Sequence, residues 1–260
     1  MSVPSEILKL VSESGNNFHA KVARWMQKNG WRVAVSPYYM DQTQNKAREI
    51  DLVVEKLFSV RDRQDPGPLG HVTVRLFIEC KFIPLHSVFW FTDKDMEAVK
   101  QLVCSSGKFN PDHSYTKQHH YLAASPRVAK LYATEKGSDN DPYYKALNQV
   151  LSAMISMRGK QVSPALLKPH HGPVLLLEFP VVVCSSFDRI YEVDFYDENS
   201  SPRRVGINFQ LEIEYAYLDQ MGSHRDEYLL LDFVEFNQLD TFVSAVEEDA
   251  RIAGFFHNWR

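Results

Sequence analysis

Three cysteines in 260 residues, Cys80, Cys104 and Cys184, lie far apart and form no CxxC pair. So sparse and odd a count excludes a disulfide framework and fits a reducing compartment, which makes a cytoplasmic location the expectation. No apolar run approaches the roughly 20 residues that a bilayer-crossing helix needs. The opening MSVPSEILKLVSESG breaks its one apolar patch with Ser and Glu, a poor secretory signal, so no membrane partner is expected. Glycines such as Gly107 and Gly137 stand alone in turns, which rules out a Walker-type phosphate loop, and no GxSxG or triad arrangement stands out. His113, His119, His120, His170 and His171 lack regular ligand spacing and have no cysteine near them, so no zinc site is expected. Internal repeats and low-complexity tracts are missing too.

What is present is ordinary in bulk and uneven in distribution. Hydrophobic residues make up 44% and charged residues 24%, the balance of a globular chain long enough for one large α/β domain or a core with an appendage. Residues 1–172 carry 23 Lys and Arg against 16 Asp and Glu, whereas residues 173–260 carry 6 against 17. A protein that binds a polyanion concentrates positive charge where the polyanion lies, so a phosphate-bearing partner is expected on the first part. The boundary falls in GKQVSPALLKPHHGP (159–173), with a β-rich acidic extension beyond it that either stands apart or continues the same sheet.

Hydrophobic spacing predicts two N-terminal helices, the second from about Asn16 to Asn29, with Phe18, Val22, Trp25 and Met26 on one face and Gly30 as its stop. A strand is expected over Trp31 to Tyr38, a polar loop from Met40 to Ala47, and a second strand from Arg48 to Phe58. RDRQDPGPLG (61–70) is rich in turn formers and leads into the clearest strand, His71 to Phe82. Further expectations are a helix over Asp93 to Cys104 and a short strand over His119 to Ala124. The aromatics Phe89, Trp90 and Phe91 are expected to cap the core. An amphipathic helix follows over Asp141 to Met157, with Tyr144, Leu147, Leu151, Met154 and Ile155 inward. Strands are predicted over Leu175 to Cys184, Arg189 to Phe195, Val205 to Leu218 and Glu227 to Phe236. The closing helix is N-capped by Asn237 and turns Phe242, Val243 and Val246 inward.

The chemistry gathers on HVTVRLFIECKF (71–82). Alternation puts Val72, Val74, Leu76, Ile78, Cys80 and Phe82 on one apolar face and Glu79 and Lys81 on the other, about 6.6 Å apart along the strand. An acid and a base at the end of so apolar a strand are costly to bury without a partner or a function. The preceding REIDLVVE places Asp51 between Ile50 and Leu52. Antiparallel pairing across the 61–70 turn would bring Asp51 to Glu79. Two converging carboxylates repel, and a divalent cation relieves that repulsion. An all-oxygen site of this kind suits Mg²⁺ or Mn²⁺, and a nearby lysine can orient a water beside the metal.

The pattern E-I-D, 27 residues, then E-C-K, with an apolar run before each acid, resembles the signature of the PD-(D/E)xK nuclease superfamily. It is especially similar to Mrr-type restriction endonucleases and archaeal Holliday-junction resolvases. The leading GNNFHAKVARWMQKNGW resembles the first helix of such enzymes, and the likeness spans roughly residues 15–160. The resemblance implies a restriction-endonuclease-like α/β core, a mixed twisted sheet flanked by helices, and a metal-dependent DNA endonuclease acting in restriction or phage defence. Asp51 and Glu79 would bind Mg²⁺ or Mn²⁺ with the Cys80 carbonyl, and Lys81 would position the attacking water. A homodimer suits the cutting of two antiparallel strands, and the acidic part is the expected seat of a protein or small-ligand regulator. One position departs from the pattern. Where relatives carry a metal-proximal Glu on the first helix this chain has His19, with Glu13 or Glu49 as the nearby acids that could compensate, and Gln149 as an auxiliary contact to nucleic acid. That departure keeps a second expectation open, a nuclease fold retained as a catalytically impaired DNA-binding or protein-interaction module.

Overall fold

The computed structural model describes residues 4–13, 15–41, 43–61, 68–105, 107–135, 142–160, 162, 166, 174–219 and 222–256. Two helices open the chain, α1 (Ser5–Glu13) and α2 (Gly15–Lys28). Phe18, Val22 and Met26 of α2 are buried, as their spacing requires. Gly30 ends the helix. At φ +82 it takes a left-handed backbone that lets the Trp31 amide reach back to the Met26 carbonyl at 3.1 Å.

The next segment departs from the two strands and a loop expected of it. β1 (Arg32–Val35) forms one edge of the main sheet, and β2 (Tyr38–Asp41) and β3 (Lys46–Glu49) pair as a separate ribbon. β4 (Leu52–Arg61) then returns beside β1. The polar stretch after Met40 is a tight turn because the Asp41 carboxylate accepts the Thr43 and Gln44 amides at 3.0 and 3.2 Å. The chain leaves the main sheet at Ser36 and rejoins it after Asp51, and the Ser36 amide closes that fork on the Asp51 carbonyl at 2.8 Å.

β5 (Pro68–Lys81) pairs antiparallel with β4, beginning at Leu52 opposite Ile78. Residues 62–67 of the intervening turn lie outside the described residues. Val72, Val74, Leu76, Ile78 and Cys80 enter one core and Phe77 the other, as alternation requires. Phe82, expected on the first face, lies past the strand end and is 58% exposed. β6 (Ser87–Asp93) follows, and its alternation buries Phe89 and Phe91 in the second core while Trp90 is half-buried. α3 (Met96–Ser105) begins where Asp95 accepts the amides of Glu97 and Ala98. The strand expected at 119–124 is the short helix α4 (His120–Ala123), and β7 (Arg127–Thr134) follows it. α5 (Pro142–Met157) turns Tyr143 inward with Leu147, Leu151 and Met154. Tyr144, expected there, is 61% exposed.

β8 (Val174–Cys184), β9 (Ile190–Asp194), β10 (Arg203–Arg204), β11 (Phe209–Leu218) and β12 (His224–Glu235) complete the strands. Asn237 falls in a 3₁₀ turn instead of capping the last helix, α6 (Leu239–Phe256), on which Phe242, Val243 and Val246 are buried as expected. The main sheet has ten strands in the order β1-β4-β5-β8-β12-β11-β7-β6-β9-β10. β8 runs parallel to β5 along its whole length. Strands from the acidic part therefore lie in the middle of the sheet, between β5 and β7.

Helices cover both faces of this mixed sheet. α2 and α6 close one core over β4 and β5, and α5 with the β2–β3 ribbon closes the other. The second face is strongly concave. Phe89 on β6 and Phe233 on β12 are separated by two strands, which on a flat sheet means about 14 Å, yet their ring centroids are 5.3 Å apart. Phe209 stacks on Phe233 at 4.9 Å and meets Phe89 edge-on at 5.0 Å, so aromatic packing fills the curl. Among the described residues no helix is long and apolar enough to cross a membrane.

Candidate active site

Asp51 occupies the break between β3 and β4, not the interior of a continuous strand. Ile50 and Leu52 on either side are fully buried in opposite cores, which pins the chain as it crosses from ribbon to sheet. Its carboxylate turns toward the end of β5 and accepts the Cys80 amide through Oδ2 at 2.8 Å. Glu79 returns the contact, accepting the Asp51 amide through Oε1 at 3.2 Å. Each acid thus caps the other's strand just beyond the last ladder pair. Lys81, two residues on and on the same face, places Nζ 2.9 Å from Glu79 Oε2. The three groups converge.

The electrostatics of this cluster follow from its depth. Glu79 is 1% exposed. Burial pushes its carboxyl up to about 7, against the pull of Lys81, and the charge of Asp51 pushes the same way as burial. Burial alone would draw the Lys81 ammonium down, but Glu79 and Asp51 outweigh it and leave Lys81 raised. Glu79 is therefore the member that titrates near neutrality, and Lys81 stays charged. Burial pushes the thiols of Cys80 and Cys184 up, which excludes either as a nucleophile. Cys80 joins the site through its backbone, while its side chain packs in the α2–α6 core.

The donor set fits a hard divalent cation. Two carboxylates share one end of two strands, one of them is held partly protonated by the other's charge and by burial, and an ammonium already sits where positive charge is wanted.

The auxiliary residues do not complete this set. His19 on α2 is 9% exposed with Nε2 lacking a hydrogen-bond partner, and no bond joins it to Asp51, Glu79 or Lys81 among the described residues. The Glu49 side chain engages the Tyr38 hydroxyl and raises that group. Gln149, expected on an exposed polar face, is instead a brace. Its Nε2 donates to the Glu49 carbonyl at 3.1 Å, and its own carbonyl accepts the Tyr39 hydroxyl at 3.2 Å, fixing α5 to the ribbon two residues before Asp51. The Glu13 side chain, like His170 and His171, lies outside the described residues.

A second polar cluster escaped the sequence reading. His119 and His120 of the α4 turn meet Asp249 of α6, with ligand-type atoms within 4.8 Å of one another. His120 Nδ1 contacts Asp249 at 2.5 Å and Nε2 contacts Asp232 of β12 at 3.1 Å. Gln210 bonds Asp232 at 3.0 Å and Lys94 bonds Gln210 at 2.7 Å. Burial would push His120 down, but the two aspartates hold it up at about 9. His119 is pulled down by burial to about 4. The Tyr121 amide donates to His119 Nδ1 at 3.1 Å, which assigns the ring proton to Nε2, facing Asp249. His120 engages an aspartate through each ring nitrogen and His119 Nε2 lies 3.4 Å from Asp249, so the cluster ties α4, α6 and β12 together as an ionic clamp, and its three ligand-type groups are also close enough to hold a metal ion. Its sequence signal was Asp232 inside the apolar run LLLDFV, where an unpaired acid would be costly.

Compared with protein-family models, with curated proteins and with solved structures, the chain matches none of them.

Proposed function

We propose that the chain is a metal-dependent phosphodiester hydrolase, a deoxyribonuclease on a restriction-endonuclease-like core. The reading is carried by one observation, the reciprocal capping of Asp51 and Glu79 across β4 and β5 with Lys81 on Glu79. Asp51 and Glu79 would hold Mg²⁺ or Mn²⁺, with the Cys80 carbonyl as a third oxygen. When bound, such a cation polarises a phosphoryl oxygen and yields a nucleophilic water at neutral pH. Glu79 would bind it as the carboxylate, its proton passing to solvent. Lys81, held on the same face at 2.9 Å from Glu79, would position the attacking water and donate to the phosphoryl oxygen as charge builds there. DNA as substrate, an endonucleolytic cut, a two-fold dimer and a role in defence rest on the sequence resemblance, as does a regulator on the acidic part.

A second reading, a nuclease fold kept for DNA or protein binding without catalysis, is favoured by His19, which stands where nucleases of the resembled type place an acid and makes no bond to the cluster among the described residues. Supercoiled plasmid with Mg²⁺ or Mn²⁺ separates the two. Nicking by the native protein that is lost in Lys81→Ala supports hydrolysis. Nicking by both preparations marks a contaminant, and by neither leaves the binding module.

A further inference from the structure

The main sheet is open along part of its length. β8 and β12 run parallel but share a ladder only over residues 181–184 and 232–235. Below that junction β8 stays on β5 and β12 stays on β11, and the facing edges part. Pro180 stands at the fork, where a residue without an N–H cannot supply a ladder bond. The gap is a cavity of about 370 Å³ that crosses the sheet. Leu177, Phe179 and Leu230 line it from the side of α3 and α4, and Met154 and Leu229 from the side of α5. Its volume is that of a small-molecule site. Backbone groups on the two open edges have no strand to pair with, and buried ones call for a side chain, a water or a ligand. The Tyr121 hydroxyl answers one of them, the Leu230 carbonyl, at 3.1 Å.

One cation lining this cavity makes no direct bond. Arg158 is held by both oxygens of Glu227 at 3.1 Å each, and Glu178 accepts Arg75 at 3.0 Å. His119 lines the wall with its nitrogens already committed. Lys108, on the loop after α3, lines the same space half-buried and makes no hydrogen bond or ion pair among the described residues. Burial draws its ammonium down while the more distant Glu178 pulls it up. An ammonium half out of water with no directly bonded counter-ion, beside the apolar side chains of Leu177, Phe179 and Leu230, is complementary to an anion with an apolar body.

We propose that the gap between β8 and β12 binds a small amphipathic anion, one carboxylate, sulfonate or phosphate on a compact apolar body, with Lys108 as its counter-ion. The site is independent of the Asp51–Glu79–Lys81 cluster and stands whether or not the chain is a nuclease.

The probe is 1-anilinonaphthalene-8-sulfonate, whose fluorescence rises in an apolar site, titrated into the full chain and displaced with octanoate. Saturable binding at one site is expected, with octanoate displacing it and octan-1-ol, which lacks the charge, doing so far less well. Lys108→Met should weaken binding about tenfold, the scale of one lost charge-assisted contact. Lys108→Arg should retain binding, and the exposed Lys117→Met should leave it unchanged. Ser105→Trp, at the exposed mouth, should block entry. Absence of saturable binding to the native chain overturns the proposal, as does undiminished affinity in Lys108→Met or an equal loss in Lys117→Met. If circular dichroism shows Lys108→Met to be misfolded, Ser105→Trp decides, and full affinity in that variant is equally fatal.

Discussion

A cation that binds Asp51 and Glu79 must displace the proton that burial keeps on Glu79. With that carboxyl at about 7, it is about nine-tenths protonated at pH 6, about half at pH 7 and about one-tenth at pH 8. Mn²⁺ should therefore release about half a proton per site at pH 7, and its apparent affinity should fall about tenfold from pH 8 to pH 6. Titration calorimetry in two buffers of different ionisation enthalpy measures both quantities in one series. Glu79→Gln supplies the control, since it removes the titrating group while keeping an oxygen that can accept the Asp51 amide. Affinity that stays flat from pH 6 to pH 8, or proton release that persists unchanged in Glu79→Gln, would refute the coupling and with it the claim that these two acids share a cation. Metal-free protein should show the same proton in its stability. A carboxyl raised in the folded state favours folding most below its unfolded value of 4.5, and that advantage is lost as pH climbs toward about 7 and is flat above.

The parts of the fold that sequence made legible are those where period and burial agree. β5 announces itself because alternation continues from Val72 to Lys81, so Glu79 and Lys81 could be set on one face before any coordinates. α2 and α6 likewise carry buried residues at helical spacing, and Gly30 marks the end of α2. The misreadings share a cause, which is that distant partners decide the local conformation. Arg48 to Phe58 reads as one strand because nothing local says that Glu49 belongs to a ribbon under α5 while Leu52 belongs to the main sheet. β6 and β7 were missed since Phe89 is buried by Phe209 and Phe233, more than a hundred residues away. His119 and His120 form a helical turn because Asp249 accepts the His120 amide at 3.1 Å as well as its ring, a contact spanning 129 residues. The charge split is real along the chain but not in space. β8, from the acidic part, is the immediate neighbour of β5, and no cut at residue 172 would leave β5 its partner. The site was more legible than the fold around it, since the acids lie on elements joined by one turn, whereas the role of Gln149 depended on where α5 docks.

Gly254→Ala should destabilise the chain by about 1–3 kcal/mol through overpacking, because the added methyl would lie 2.7 Å from Val60 Cγ2 and 3.1 Å from Val72 Cγ2. Urea denaturation reads the loss directly. Lys81→Met should abolish plasmid nicking, a fall of at least about a hundredfold if the ammonium stabilises developing charge, while Mn²⁺ binding to Asp51 and Glu79 persists in calorimetry. Asp249→Asn should cost about 3–5 kcal/mol in urea unfolding at pH 7, the usual penalty for breaking a buried ion pair. The same clamp fixes a pH dependence whose sign can be worked out. His120, raised from 6.5 to about 9, contributes stability that is whole below pH 6.5 and is lost as pH rises through 9. Lys94, pulled down by burial from 10.5 to about 8, acts in the opposite sense above pH 8, where its deprotonation relieves a buried charge. His119, at about 4, is neutral throughout. Between pH 6.5 and 8 His120 should remove about 2 kcal/mol before Lys94 flattens the curve, and the smaller loss from Glu79, which titrates at about 7 in the same window, is removed by measuring in a Glu79→Gln background. Asp249→Asn should erase most of that slope. A Glu79→Gln chain equally stable at pH 6.5 and pH 8 would mean that His120 is buried neutral, and the clamp would then be a hydrogen-bond network without the ion pair that its two aspartates imply.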